Sequence, residues 1–225
     1  MPVSVVALAD ECRALSSVLR ELAPAEFATA TNCPPWDLRE LVVHIGDSIR
    51  GTGDQFTPAE PDDQPLSAAD YYRRPQRATP AYRQRNVDRT QTLARTVPAT
   101  VSAAQWFDDV SRHTLATLDR RDLDQVVLIP GRGAMRLADW VTTRVISVAA
   151  HGLDVAITLG RTPWTTPSAL HVSHPVLVDL LGGQPPELLG WDERDLLVAG
   201  TGRRPLTGPQ RDVLGRSAER FPLLS

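Results

Sequence analysis

The chain has 225 residues, 42% of them hydrophobic and 23% charged, which suits one large domain with an apolar core, with or without a small appendage. Its formal net charge of −3 disfavours a nucleic-acid partner, because contacts with phosphates normally need a basic surface. No apolar run of about 18 residues is present, which argues against a membrane span. Charged residues interrupt the apolar sequence within residues 1–15, and the pattern of a signal peptide is lacking, so we expect a cytoplasmic protein.

The first part of the chain has the pattern of two helices followed by a long loop. Apolar residues recur every three or four positions over residues 4–22, which predicts an amphipathic helix. A second helix is predicted to begin after Asp37, since Asp37 and Glu40 have the spacing of a capping box. Residues 54–80 are polar and rich in proline, and they are predicted to form a long loop.

Three more helices are predicted before residue 160. Two of them cover about residues 83–97 and 102–118, and the last and longest covers about 137–159. Residues 123–129 are expected to be extended. The number and length of the helices predict a mainly α fold, with a four-helix bundle over residues 1–160.

The last part of the chain is predicted to be a small α+β appendage over residues 165–225. A helix is expected at about 168–182, an apolar strand at Asp195–Ala199 and a final helix at 208–219. Free tails are usually polar, so we expect this tail to dock against the bundle through its apolar residues Phe221, Leu223 and Leu224.

Five histidines are candidates for a functional site. His44 on the second helix and His151 on the last long helix both border an apolar face, so their imidazoles are predicted to converge inside the bundle. The alternative is that both are hydrogen-bonded core residues. His113 is predicted to face inward as a structural residue that could supply a ligand, and His171 and His174 are expected at the surface.

Two segments of the chain resemble a known family. They are CPPWDLRELVVHIGD at residues 33–47 and TRVISVAAHGLDVAITLGR at 143–161. Together with the tail from GTGRRPLTGPQRDVLG onward, they are similar to the mycothiol-dependent maleylpyruvate isomerase family of the DinB-like superfamily, in an actinobacterial branch. The resemblance implies a DinB-like four-helix bundle and a metal-dependent isomerase or S-transferase. Such an enzyme uses mycothiol as co-substrate and acts on a small carboxylate or another electrophilic metabolite.

The resemblance also implies a set of metal ligands, and the chain departs from it. Family members hold a divalent metal with a histidine on the second helix and with a glutamate and a histidine on the last helix. These positions are His44, Ser147 and His151. A serine hydroxyl supplies neither the charge nor the strong oxygen ligand of a carboxylate, so zinc or nickel would be held weakly. Asp154 lies one turn beyond His151 and could reach the same region, although a structural role is favoured.

Arginines are candidates for substrate binding, since family substrates are carboxylates and a guanidinium binds a carboxylate through two parallel hydrogen bonds. We single out Arg74 in the long loop, Arg144 on the last long helix and Arg203 after the Gly-Thr-Gly turn. The alternative for Arg203 is a salt bridge to Asp195 or Glu193.

Three functions remain open at this stage. The first is a metal-dependent, mycothiol-using isomerase or transferase. The second is a metal-independent cyclase or isomerase of secondary metabolism in the same cavity, and the third is a non-catalytic protein that binds a small molecule. The cysteines, Cys12 and Cys33, are too few for a zinc framework and are predicted to be structural. We expect a monomer or homodimer with a small-molecule substrate.

Overall fold

The computed structural model describes residues 2–52, 54, 56–60, 62–98 and 101–224, and in this part the chain is mainly α-helical, as predicted. The helices are α1 (Val3–Arg20), α2 (Leu38–Ile49), α3 (Ala68–Arg73), α4 (Pro80–Thr96), α5 (Ala103–Leu118), α6 (Leu137–Leu159), α7 (Pro167–Leu181), α8 (Glu193–Gly200) and α9 (Gly208–Leu214). Short 3-10 helices cover Pro24–Ala28, Pro75–Ala78, Glu187–Leu189 and Gly215–Arg220. The strands are β1 (Thr57–Pro58), β2 (Val126–Ile129) and β3 (Gly133–Arg136).

Four of the helices form the central bundle. Helices α1 and α2 each pack against both α5 and α6, and α4 packs against α2. The bounds of α2 and α6 follow from local chemistry. The Asp37 side chain accepts a hydrogen bond from the Glu40 amide and so begins α2, while Gly160 adopts a left-handed conformation (φ 62°) that ends α6.

The segment over residues 54–80 was predicted to be a loop, but among its described residues it contains a strand, an α-helix and a 3-10 helix, which corrects the sequence-based expectation. Strand β1 pairs antiparallel with β2, and β2 pairs with β3, so that the three form a small sheet. Helix α3 begins at a capping box between Ser67 and Asp70 and buries Tyr71 and Tyr72. The burial of these two aromatic side chains favours an ordered segment despite its polar composition.

The predicted strand Asp195–Ala199 is wrong, because these residues belong to helix α8. The side chain of Asp192 caps the helix at the amide of Asp195, and Leu196 and Leu197 are fully buried. A short apolar run has the same appearance in a buried strand and in a buried helix. In the described residues after 160, the elements are therefore helical, and no β part of the predicted appendage is found there.

The region after residue 160 shares its core with the bundle. Helix α7 packs against α1, α3 and α6, and α8 packs against α7 and α6. One hydrophobic cluster extends from Val5 to Leu223. The division into a bundle and an appendage stays a prediction.

Helix α5 is rotated relative to the predicted phase. Phe107, Thr114 and Leu118 are buried, whereas the His113 side chain is 68% exposed and its Nε2 lies 2.8 Å from the Asp54 carboxylate. His113 therefore does not face the bundle interior. Across the described residues, none of the helices is both long and apolar enough to cross a membrane.

The tail is docked onto α8, in agreement with its apolar composition. The Leu223 amide donates a 2.7 Å hydrogen bond to the Gly200 carbonyl, and the Leu223 side chain is 7% exposed. Phe221 packs edge-on against Trp191, with ring centres 6.0 Å apart. Ser225 lies outside the described residues.

We expect Leu223→Ala to lower the free energy of unfolding by about 2–5 kcal/mol, the usual cost of truncating a buried leucine. The control is Leu188→Ala, because Leu188 is 83% exposed and its truncation should change stability by no more than about 0.5 kcal/mol. Urea denaturation of both variants measures the difference. Equal stabilities would contradict the docking of the tail.

Candidate functional site

A cavity of about 480 Å³ is bounded by α2, α3, α4, α6 and the turn between β2 and β3. Its described lining is rich in positive charge and contains a single acidic residue, Asp47. Asp47 already pairs with Arg50 at 2.9 Å and with Arg89 at 2.7 Å. The lining arginines are Arg50, Arg77, Arg83, Arg89, Arg132, Arg144 and Arg203.

The two predicted histidines meet at the wall of this cavity. The rings of His44 and His151 are perpendicular, with centres 4.9 Å apart. His44 Nδ1 lies 3.1 Å from the Thr90 hydroxyl, and His151 Nδ1 lies 2.9 Å from an Asp154 carboxylate oxygen. Each ring therefore has its Nδ1 engaged, which leaves its Nε2 as the nitrogen available for chemistry.

Both imidazoles are held in the neutral state at pH 7. Burial lowers the pKa of His44 well below its ordinary value, and the neighbouring His151 and Arg144 lower it further. Burial also lowers the pKa of His151, and this outweighs the opposing effect of the hydrogen bond that His151 donates to Asp154. A neutral imidazole can accept a proton, so the pair can act as a base.

Asp154 is a fully engaged carboxylate. It accepts hydrogen bonds from Asn32 Nδ2 at 2.8 Å, from Arg203 Nε at 3.0 Å and from a second Arg203 nitrogen, as well as the contact with His151. Burial alone would raise its pKa, but the hydrogen bonds from His151 and Arg203 hold the pKa far below its ordinary value. Asp154 therefore orients His151 and Arg203 and has no free oxygen for a ligand.

The partner of Arg203 differs from the predicted one. Neither Asp195 nor Glu193 pairs with Arg203, and it is Arg204 that contacts Asp195 at 2.8 Å. The Gly-Thr-Gly turn directs Arg203 toward α6, where it reaches Asp154 and also lines the cavity.

Arg144 is the most deeply buried of the candidate arginines, at 7% exposure. Its guanidinium donates to the Ser48 carbonyl and to the Tyr71 hydroxyl, each at 3.1 Å, and lies 4.0 Å from the centre of the Trp140 ring. Among the described residues no carboxylate lies within salt-bridge distance of it. A buried cation is normally paired with an anion, so Arg144 has the character of a ligand-binding group.

Arg74, the third arginine predicted to bind substrate, does not line the cavity. Its side chain donates to the Arg132 carbonyl at 2.5 Å and so braces the turn between β2 and β3. Arg77 and Arg132 line the cavity in its place. The proline at position 75 begins a 3-10 helix that presents Arg77, and not Arg74, to the site.

One family model matches this chain, that of the mycothiol maleylpyruvate isomerase N-terminal domain, over residues 8–156. The chain belongs to this family. The four-helix bundle and the mainly α architecture agree with the DinB-like fold that the resemblance implied. No curated protein and no solved structure matches the chain.

The metal ligands that the family implies are incomplete in this member. His44 and His151 are present, but the third position is Ser147, and catalytic zinc normally has three protein ligands. The guanidinium groups of Arg144 and Arg203 act on these histidines, since they lower the pKa of His44 and His151 respectively. Two neutral imidazoles in positive surroundings do not fit a resident divalent metal.

A second group of metal-ligand types lies beside the histidines. Ligand atoms of Cys33, His151 and Asp154 lie within 4.8 Å of one another. Arg203 donates to both oxygens of Asp154, and burial, with Asp154 next to it, raises the pKa of the Cys33 thiol to about 12. This group is an ion-pair network with a protonated thiol, and it does not fit a cation either.

Sequence reasoning missed several cavity residues, including four that surround the Tyr71 hydroxyl or its arginines. Tyr71, Arg77 and Tyr82 come from the segment predicted to be a loop and from the start of α4, and Arg132 comes from the turn after β2. The Ser67–Asp70 capping box was the one signal that could have placed Tyr71 on a helix.

We expect the free energy of unfolding to fall as the pH is lowered from 7 to 5 in the presence of a chelator. The pKa values of His44 and His151 are lowered in the folded state, so the unfolded chain binds protons that the folded chain excludes, and acid favours unfolding. His44→Gln should reduce the slope of the free energy of unfolding against pH, by an amount that corresponds to at most about one bound proton. His171→Gln, at an exposed position on α7, should leave it unchanged. Urea titrations at several pH values measure the slopes, and identical slopes in all three proteins would contradict the assignment.

Proposed function

We propose that the protein is an enzyme that binds a small carboxylate in the arginine-lined cavity and isomerises it or transfers a thiol to it. The observation that carries this proposal is the buried Arg144, which has no carboxylate partner among the described residues and lines the cavity. A bound anion would neutralise it. Guanidinium groups also suit the planar geometry of a carboxylate.

The charge balance of the cavity supports an anionic ligand. Asp47 is the single acidic side chain of the described lining, and two arginines already pair with it. Arg203 is paired with Asp154. Arg132 contacts the hydroxyl of Tyr82 at 3.4 Å and no carboxylate of the described residues. The remaining positive charge favours a substrate with one or two carboxylate groups.

The family name suggests the reaction, namely the isomerisation of maleylpyruvate with mycothiol. A thiolate adds to the activated double bond, the resulting single bond rotates, and elimination of the thiolate restores the double bond in the other geometry. In this chain a neutral imidazole of the His44–His151 pair would accept the thiol proton, which leaves the electron pair on sulfur. The arginines would hold the carboxylates while the single bond rotates.

A second candidate is a metal-independent isomerase or cyclase that uses no thiol. The replacement of the expected glutamate by Ser147 favours it, because the site lacks the carboxylate that family metal chemistry requires. We propose a cytoplasmic monomer or homodimer that binds no nucleic acid for either candidate.

The two candidates are separated by one set of assays. Purified protein without a histidine tag is incubated with maleylpyruvate, with and without mycothiol, in buffer containing either chelator or zinc. Turnover that needs mycothiol supports the thiol-dependent reaction, and turnover without mycothiol supports the second candidate. Binding of maleate without turnover under any condition would indicate a non-catalytic binding protein and contradict both.

We expect Arg144→Gln to weaken the binding of maleate by at least about tenfold, because one charged hydrogen-bonding partner contributes about 1.5–3 kcal/mol. Isothermal titration calorimetry measures the affinity, and thermal unfolding shows whether the variant folds. The control is Arg73→Gln, since Arg73 is exposed and pairs with Asp179 outside the cavity. Equal affinities of the wild type and Arg144→Gln for maleate would contradict the proposal.

Ser147→Glu should increase the zinc content of the purified protein, because it restores a charged ligand four residues before His151, on the same face of α6. The matched control is Ser147→Gln, which has nearly the same shape without the charge. Native mass spectrometry measures bound metal. Equal zinc in the wild type and both variants would show that the missing carboxylate is not what limits metal binding.

A further inference from the structure

The hydroxyl of Tyr71 lies between two guanidinium groups. Arg77 donates to it at 2.8 Å and Arg144 at 3.1 Å. Both donors are permanently charged, so the two bonds occupy the lone pairs of a neutral phenol. The described residues offer no acceptor for the phenol's own proton. This environment favours the deprotonated oxygen.

The wider surroundings of Tyr71 are also positive. Arg77 and Arg132 lie with their guanidinium carbons 4.6 Å and 5.5 Å from the centre of its ring. Burial by itself would raise the pKa of Tyr71, but the three arginines outweigh it and lower the pKa to about 7. Among the described residues, the charged and titratable groups that face this ring are Arg77 from the 3-10 helix, Arg132 from the turn after β2, Arg144 from α6 and the neighbouring Tyr72.

Tyr72 is a natural comparison, because it is adjacent and equally buried. Its hydroxyl donates to the Thr143 carbonyl at 3.0 Å, which ties the proton to an acceptor. Burial raises its pKa. The two neighbouring phenols therefore differ in whether arginines or a carbonyl face the oxygen.

We propose that Tyr71 is a catalytic residue that accepts a proton from a carbon next to a carbonyl group of the bound carboxylate. The proposal deepens the function proposed above and rests on it for the class of substrate. It applies to the reaction that uses no thiol, in which a proton must leave one carbon and return to another.

The step is balanced without a further reactant. The carbon–hydrogen bond breaks, its proton passes to the Tyr71 oxygen, and its electron pair becomes the double bond of an enolate whose oxygen takes the negative charge. Arg144 lies beside Tyr71 and can donate to that oxygen. When this enolate is conjugated with the activated double bond of the substrate, the phenol can return the proton to the far carbon of the conjugated system, which moves the double bond and completes an isomerisation. A base whose pKa lies near neutral pH is suited both to accept the proton and to return it.

The first test measures the ionisation of tyrosine directly, with no substrate. The chain has three tyrosines, and the ultraviolet absorbance of tyrosinate is followed from pH 5 to 11 in the wild type, Tyr71→Phe and Tyr72→Phe. We expect one tyrosine to ionise near neutral pH in the wild type and in Tyr72→Phe, and none to do so in Tyr71→Phe. Ionisation of all three at about pH 10 or above, the range of free tyrosine, would overturn the proposal.

The second test asks whether the Tyr71 oxygen meets the ligand. Saturating maleate should shift the ionisation of Tyr71 to higher pH, because a second negative charge disfavours the phenolate. By linkage, maleate should bind more weakly above neutral pH in the wild type and in Tyr72→Phe, but not in Tyr71→Phe. Bound maleate with an unshifted Tyr71 would contradict contact and overturn the proposal.

Enzymatic activity provides the third test. It separates the catalytic role of Tyr71 from the proposed function of the cavity. With maleylpyruvate and no thiol, Tyr71→Phe should lower kcat by about 10²–10⁴, the usual contribution of a general base, with KM little changed. Tyr72→Phe should stay within a few-fold of the wild type. Unchanged kcat in Tyr71→Phe would exclude the catalytic role. Failure of maleate to bind to any of the proteins would instead contradict the proposed function, and the absorbance titration would still decide whether Tyr71 is ionised.

Discussion

A single buried carboxylate, that of Asp154, joins the separate parts of the chain that form the cavity wall. It lies on α6, accepts hydrogen bonds from Asn32 in the segment before α2 and from Arg203 after α8, and contacts His151 one turn earlier on its own helix. Because the carboxylate is buried, loss of a partner would leave a charge without compensation. The position of His151 and the docking of the C-terminal region therefore depend on the same group.

The residue at position 147 adds to the positive character of the cavity. The family resemblance implies a carboxylate at this position, whereas this chain has a neutral hydroxyl, so nothing there offsets Arg144 and the other lining arginines. The same bundle geometry that brings His44 and His151 together is then surrounded by positive charge. A cation is disfavoured there and an anion is favoured, because each added charge of the same sign raises the cost of the next. Tyr71, between Arg77 and Arg144, experiences this field most directly.

The sequence was a good guide wherever the signal was local or strongly periodic. The bounds of α6 follow from a long apolar repeat that ends at Gly160, and the start of α2 follows from the Asp37 cap. The sequence was a poor guide where tertiary packing determines the secondary structure or the buried face of a helix. Residues 195–199 are apolar enough for either a strand or a helix, and their burial against α7 selects the helix. The inner face of α5 was misjudged because the side of the helix that carries Phe107, Thr114 and Leu118 is the one that packs into the bundle, and His113 lies off that side.

The sequence by itself determined the helical bundle, the family and the approach of His44 to His151, since helix periodicity and two motifs carry that information. The tertiary structure alone decided which arginines matter. Arg74, Arg77, Arg132, Arg144 and Arg203 look alike in the sequence. Their roles depend on which partners lie within hydrogen-bond distance, and those partners come from segments distant along the chain. Coulombic interactions act through space, so the environment that lowers the pKa of Tyr71 arises only when three separate elements meet around it.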